Sequence, residues 1–134
     1  LVVNYGSPSK TIFVTGDRLR LNQVLLNLLD NAGKFTKKGS ITVTSAIMSN
    51  KVQVTVKDTG VGIHNEIFPK LFSKFVTRSD RGTGLGLFIS KSIIEAHGGK
   101  IWAESSSQQE GATFIFTLPL LDKENVERRE ENDE

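Results

Sequence analysis

The stretch LNQVLLNLLDNAGKFT, Leu21 to Thr36, decides how the rest of the chain reads. At about 100° per residue, Leu21, Val24, Leu25, Leu28, Ala32 and Phe35 share one broad face of a helix. Arg20, Gln23, Asn27, Asn31 and Lys34 gather on the other, within about 80° of arc. The first face predicts a core stripe. The second is a row of amides bracketed by cations, with Asn27 and Asn31 one turn apart. Asparagine competes with the helix for backbone hydrogen bonds, so each mid-helix copy costs about 0.5 kcal/mol relative to alanine. Taken alone, such a row reads as well as a solvated polar face as it does as a site.

Working outward, Asp17 precedes this helix and is its predicted N-cap. Before it, residues 1–5 and 11–14 are short apolar runs split by GSPSK, which predicts either two strands or a strand and an extended arm. After Gly39, residues 41–48 and 51–57 have period two, with Val52, Val54 and Val56 on one face and Gln53 and Thr55 on the other. Ser49 and Asn50 join the two runs as a hairpin turn. Residues 65–72 are expected to form a short helix that Pro69 limits, and 76–83 read as a mobile loop. Residues 84–97 predict a second amphipathic helix with Leu85, Ile89, Ile93 and Ala96 facing the core, stopped by Gly98 and Gly99. Residues 100–105 and 112–118 form a further hairpin, and Pro119 ends it. The expected fold is α/β: a two-layer sandwich of a mixed, mostly antiparallel sheet covered on one face by the helices.

Composition bounds the function. A chain of 134 residues with 37% apolar content is one domain with a real core. It has no cysteine, and its two histidines, His64 and His97, fit no zinc pattern. No run approaches a membrane span and no signal peptide is visible. The absence of an initial Met suggests an excised domain. Residues 122–134 carry seven acidic and three basic residues, net −4, and read as a frayed tail or linker; residues 1–121 carry fourteen basic and eight acidic, net +6. A basic body suits an anionic ligand. The aromatics are mostly Phe at core-like spacings, which argues against nucleic acid.

Two glycine clusters suggest what that anion is. Asp58-Thr59-Gly60-Val61-Gly62-Ile63 leaves a strand into a turn. A carboxylate at a strand end can accept from an exocyclic amine such as adenine N6, and glycines let the backbone approach a flat base. Alone, the hexapeptide is equally an ordinary Asp-Gly turn. Gly82-Thr83-Gly84-Leu85-Gly86-Leu87 opens a helix, where free N–H groups and the positive helix end favour phosphate. The spacing is not that of a Rossmann fingerprint, and no Walker loop is present.

The order NLLDNAGKFT (Asn27 to Thr36), DTGVGI (Asp58 to Ile63), Phe72 with Phe75, and GTGLGL (Gly82 to Leu87) resembles the catalytic ATP-binding domain of a sensor histidine kinase. Its superfamily, GHKL or HATPase, includes gyrase, MutL and the heat-shock chaperone ATPases. HGGKIWAESS, from His97, resembles these kinases too. The likeness covers Val2 to Leu118 and implies a Bergerat-type sandwich. It implies that Asn31 coordinates Mg²⁺ through its amide oxygen and that Asn27 faces the same ion or its waters. Such an ion, holding water and phosphate, needs few protein ligands. Lys34 would reach the phosphates, with Phe35 beside adenine or ribose. Asp58 would bind the adenine amine in a pocket lined by Gly60, Gly62 and Ile63. Phe72 and Phe75 would anchor a lid over ATP, Gly82, Gly84 and Gly86 would hinge it and cradle the phosphates, and Thr83 and Leu85 would join them in binding the nucleotide.

The same resemblance implies an acceptor His on a separate dimerisation domain and a response regulator downstream. It also implies a cytoplasmic setting, as the cytosolic part of a membrane-anchored sensor in some architectures, and a monomer for the isolated domain. His64 and His97 are expected to be structural. Gyrase-like and chaperone ATPases carry a water-activating Glu at the position of Asn27; an amide cannot act as a base, which fits transfer to a neutral imidazole. Many such kinases carry Arg two residues after the second Phe. Here that position is Thr77, with Arg78 and Arg81 as candidate lid cations, Arg78 being assigned. Gly33 replaces a larger apolar residue, and the lid is short. The Thr77 departure leaves open a degenerate module that docks partners without phosphotransfer, and a water-activating ATPase of the same fold is a third reading.

Overall fold

The long helix, α1, runs from Arg18 to Phe35 in the computed structural model, which describes residues 2–5, 12–36, 38–76, 84–105 and 111–121. Asp17 caps it as predicted: its Oδ1 accepts from the Leu19 and Arg20 N–H groups at 3.0 and 3.2 Å. Val24, Leu28 and Ala32 are fully buried. The amide row does not lie opposite them. Asn27 and Asn31 are half-buried at the margin of the core stripe. Asn27 is only about 100° around the helix from Leu28, and Asn31 is nearer still to Val24. The face that does point away from the core carries Leu19 and Leu26, 81% and 65% exposed.

Five strands form one sheet in the order β1-β2-β3-β5-β4. β1 (Val2–Tyr5) pairs parallel with β2 (Ser40–Met48); β2 with β3 (Lys51–Asp58), β3 with β5 (Thr113–Pro119), and β5 with β4 (Lys100–Glu104) are antiparallel. This is the mixed, mostly antiparallel sheet expected. The turn at Ser49 and Asn50 forms as expected, with Ser49 at φ 59°. The register brings Val43, Val56 and Phe114 side by side, and α1 and α2 (Gly86–Ala96) pack on each other and on this face. The opposite face aligns Thr55, Ile115 and Trp102.

Two expectations change and one alternative is settled. Residues 65–72 do not make a helix of that length; only Phe68–Lys70 form a single 3₁₀ turn, because Pro69 has no N–H to continue it. Of the two readings of the N-terminal runs, a strand followed by an extended arm holds: residues 12–15 form no strand, and Ile12 and Val14 pack against the core. The buried stripe of α2 is Leu87, Ser90, Ile93 and Ile94, while Ala96 is exposed. A two-glycine stop ends α2: Gly98 N–H donates to Glu95 O and Gly99 N–H to Ile94 O, both at 3.0 Å. His97 ties the two helices, as expected of a structural histidine. Its Nε2 accepts from the Asp17 N–H at 3.0 Å, and its Nδ1 lies 2.7 Å from Ile93 O. His64 helps form the turn after the first glycine cluster, with Nδ1 accepting from Glu66 N–H.

Candidate nucleotide-binding site

The site is built along the C-terminal half of α1, with one cluster of residues at the end of the helix and one at its middle. At the C-terminal end, β3 finishes in Asp58, whose side chain is fully buried. Its Oδ1 accepts from Gly60 N–H at 3.0 Å and from Ala112 N–H at 3.2 Å. Its Oδ2 is buried and has no hydrogen-bond partner among the described residues. A buried acceptor without a partner is costly, and native proteins retain one mainly where something else fills it. The turn that follows is fastened on two sides. Val61 N–H donates to Phe35 O at 3.3 Å, and Ile63 N–H donates to Ser105 Oγ at 3.3 Å. Gly60 is needed here for close approach: a Cβ at this position would overlap the Phe35 carbonyl oxygen. Gly62 and Ile63 are buried beside it.

At the middle of α1, Asn27 faces the start of α2. Its Nδ2 donates to Gly86 O at 3.3 Å and to Ser90 Oγ at 3.2 Å. Asn31 is half-buried one turn on. Lys34 lies on the same row, paired with Asp30 at 3.2 Å; both are well exposed, so the pair is worth a few tenths of a kcal/mol and is easily exchanged for another anion. Leu85, the N-cap of α2, makes no side-chain cap hydrogen bond among the described residues. Between the clusters, Phe72 is anchored edge-on to Phe114, with ring centroids 6.4 Å apart. The Phe75 ring is not anchored in the same way. It is 73% exposed, and its backbone does the closing, with the Phe75 N–H donating to Gly84 O at 2.9 Å. Gly84 has φ +73°, and a Cβ there would overlap the Phe75 backbone.

The structure therefore brings Asp58, Gly60, Gly62, Ile63 and Phe35 together, and brings Asn27 to Gly86. Arg78, Gly82 and Thr83 lie outside the described residues, as do Thr77 and Arg81 and the tail 122–134. Sequence reasoning missed four participants. Ala112 acts through its backbone, and Ser105 fastens the turn from β4. The Thr36 hydroxyl is buried without a partner among the described residues, close against Gly60. Ser90 is fully buried against Asn27. A signal existed only for Ser90, a hydroxyl one turn into the helix that the glycine cluster opens. Among the described residues no group of three or more His, Cys, Asp or Glu is placed to hold a metal, and no helix is long and apolar enough to cross a membrane.

Residues 16–122 match the family described as Histidine kinase-, DNA gyrase B-, and HSP90-like ATPase. The chain belongs to that family of ATPases. Among relatives it is similar to the sensor protein FixL of Bradyrhizobium diazoefficiens, 43% identical over 114 residues, which is 82% of this chain and 22% of FixL. Among solved structures, full-length ShkA in complex with AMPPNP superposes with TM-score 0.78 at 31% identity, over 89% of this chain and 26% of that one. The histidine kinase ThkA in complex with the response regulator protein TrrA gives 0.74 at 38% identity, over 90% of this chain and 34% of that one. The chain thus spans about a fifth to a third of the length of each of these proteins.

Proposed function

We propose that this chain is the ATP- and Mg²⁺-binding catalytic module of a cytoplasmic two-component sensor histidine kinase. It would donate the γ-phosphoryl group to a His on a separate dimerisation domain, with a response regulator downstream. The observation that carries this reading is Asp58: a buried carboxylate with one oxygen held by two N–H groups and the other without a partner. An adenine amine supplies the donor that this oxygen lacks. Gly60 and Gly62 leave room for the base, with Phe35 beside it. From Phe35 back to Asn27, α1 rises about 12 Å, which suits an extended triphosphate. Its phosphates would meet the leading N–H groups of α2, Lys34, and the lid residues Gly82, Thr83, Gly84 and Leu85, with Arg78 as lid cation. Asn27 and Asn31 offer amide oxygens suited to a hard cation. When bound, Mg²⁺ supplies charge neutralisation across the phosphate oxygens. In the transfer, the bond from the γ-phosphorus to the bridging oxygen breaks, a P–N bond to imidazole forms, and ADP leaves with the electron pair.

Asp58→Asn tests the base end. It keeps an Oδ1 acceptor for Gly60 and Ala112, so the fold survives, but it sets an N–H₂ against the adenine amine. Calorimetric titration with an ATP analogue and Mg²⁺ should show affinity reduced by at least about tenfold, or about 1.4 kcal/mol. Unchanged affinity would remove Asp58 from the site.

A further inference from the structure

Asn27 has two ways to place its amide, and the start of α2 chooses between them. Nδ2 carries two hydrogens. One goes to the Gly86 carbonyl at 3.3 Å and the other to Ser90 Oγ at 3.2 Å, so the nitrogen is fully used within the fold. Turned over, the amide would set its oxygen against the Gly86 carbonyl, acceptor against acceptor, and lose that bond, keeping only what the Ser90 hydroxyl could donate to it. Oδ1 has no partner among the described residues and is the one polar atom of Asn27 left to act on anything outside the protein. Ser90 is completely buried on a helix whose other buried residues are Leu87, Ile93 and Ile94. A hydroxyl in that stripe costs more than an alanine unless its oxygen is used, and here Asn27 uses it.

We propose that Ser90 is a positioning residue: with the Gly86 carbonyl it locks the Asn27 amide so that its oxygen is the atom offered to Mg²⁺ and the phosphates. The proposal rests on the functional reading above, in which Asn27 lies at the metal end of the site. It links that end to α2, the helix that follows the lid, so that displacing the first turn of α2 also releases the amide. Holding a metal ligand from behind in this way commonly governs affinity for the ion more than affinity for the rest of the ligand.

The test uses Ser90→Ala, a better helix former, and Ser90→Cys, which keeps the volume with a poor acceptor. In the ligand-free chain, NMR should show the Asn27 side-chain NH₂ protons protected from solvent exchange and losing protection in both variants. Binding of AMPPNP at stepped Mg²⁺ should show the half-saturating Mg²⁺ concentration raised about tenfold in Ser90→Ala, with metal-free affinity unchanged. A tie between helices with no other role would lower Tm and leave the Mg²⁺ curve where it was. That outcome, or unaltered Asn27 exchange, overturns the positioning role alone. Analogue binding indifferent to Mg²⁺ in the unsubstituted chain overturns the functional reading, and the positioning role with it.

Discussion

Asp58 and Gly60 share one strand end, where both hold the turn that follows β3. The same Asp58 oxygen that accepts from Gly60 also accepts from Ala112, so the carboxylate fastens the turn to β5 before any ligand arrives. Asp58 stood out in the sequence only beside the other glycine and asparagine clusters, since its hexapeptide alone is equally an ordinary Asp-Gly turn. Its partner Ala112 did not, because a backbone N–H leaves no mark in the side chain. Gly60 is the less forgiving of the two. A methyl group there would overlap the Phe35 carbonyl, and Phe35 O also accepts from Val61. Gly60→Ala should therefore push the turn off the end of α1. The expected loss is about 2 kcal/mol or more, a fall in Tm on the order of 10 °C, read by thermal unfolding without ligand.

At the scale of elements, α1 and the β2–β3 hairpin were readable because burial imposes a period on them. α2 was readable in extent but not in rotation. Ile89, Ile93 and Ala96 fit an apolar stripe, yet burying Leu87, Ile93 and Ile94 turns Ser90 inward, where it accepts from Asn27 of α1, and Ala96 outward. A hydroxyl in a helix reads as surface until its partner is known. The glycines at the start of α2 also differ in what they do. Gly84 is required by its φ of +73°, whereas among the described residues a Cβ on Gly86 would meet Asn27 Cγ alone, at 3.9 Å. Gly86→Ala therefore separates stability from binding. Alanine is the better helix residue by up to about 1 kcal/mol, so the denaturation midpoint should hold or rise. The added methyl would occupy space between the amide row and the helix end, so affinity for AMPPNP should fall about tenfold while that for adenosine is unchanged. Equal losses for both ligands would mean that no phosphate lies there.

For the molecule as a whole, the question under the proposed function is which acceptor would take the phosphoryl group. Family membership alone does not decide between water and a side chain as acceptor, since the family takes in gyrase and HSP90-like ATPases with histidine kinases. Asn27 bears on the choice. Its amide has no basic lone pair, and its nitrogen is committed to Gly86 and Ser90, so it cannot prepare a water for attack. Neutral imidazole needs no such preparation, because its ring nitrogen already carries an available lone pair. The rest of the machinery, charge neutralisation and alignment, serves either acceptor. The chain alone should hence hydrolyse ATP barely above the buffer background. Adding a dimeric helical domain that carries the acceptor His should produce acid-labile, base-stable phosphohistidine from γ-labelled ATP. Asn31→Ala should abolish that product, and AMPPNP titrations should show its Mg²⁺-dependent binding weakened. Brisk hydrolysis by the unaccompanied chain would shift the assignment to a water-using ATPase, and tight ATP binding with no transfer to any supplied His domain would shift it to a docking module.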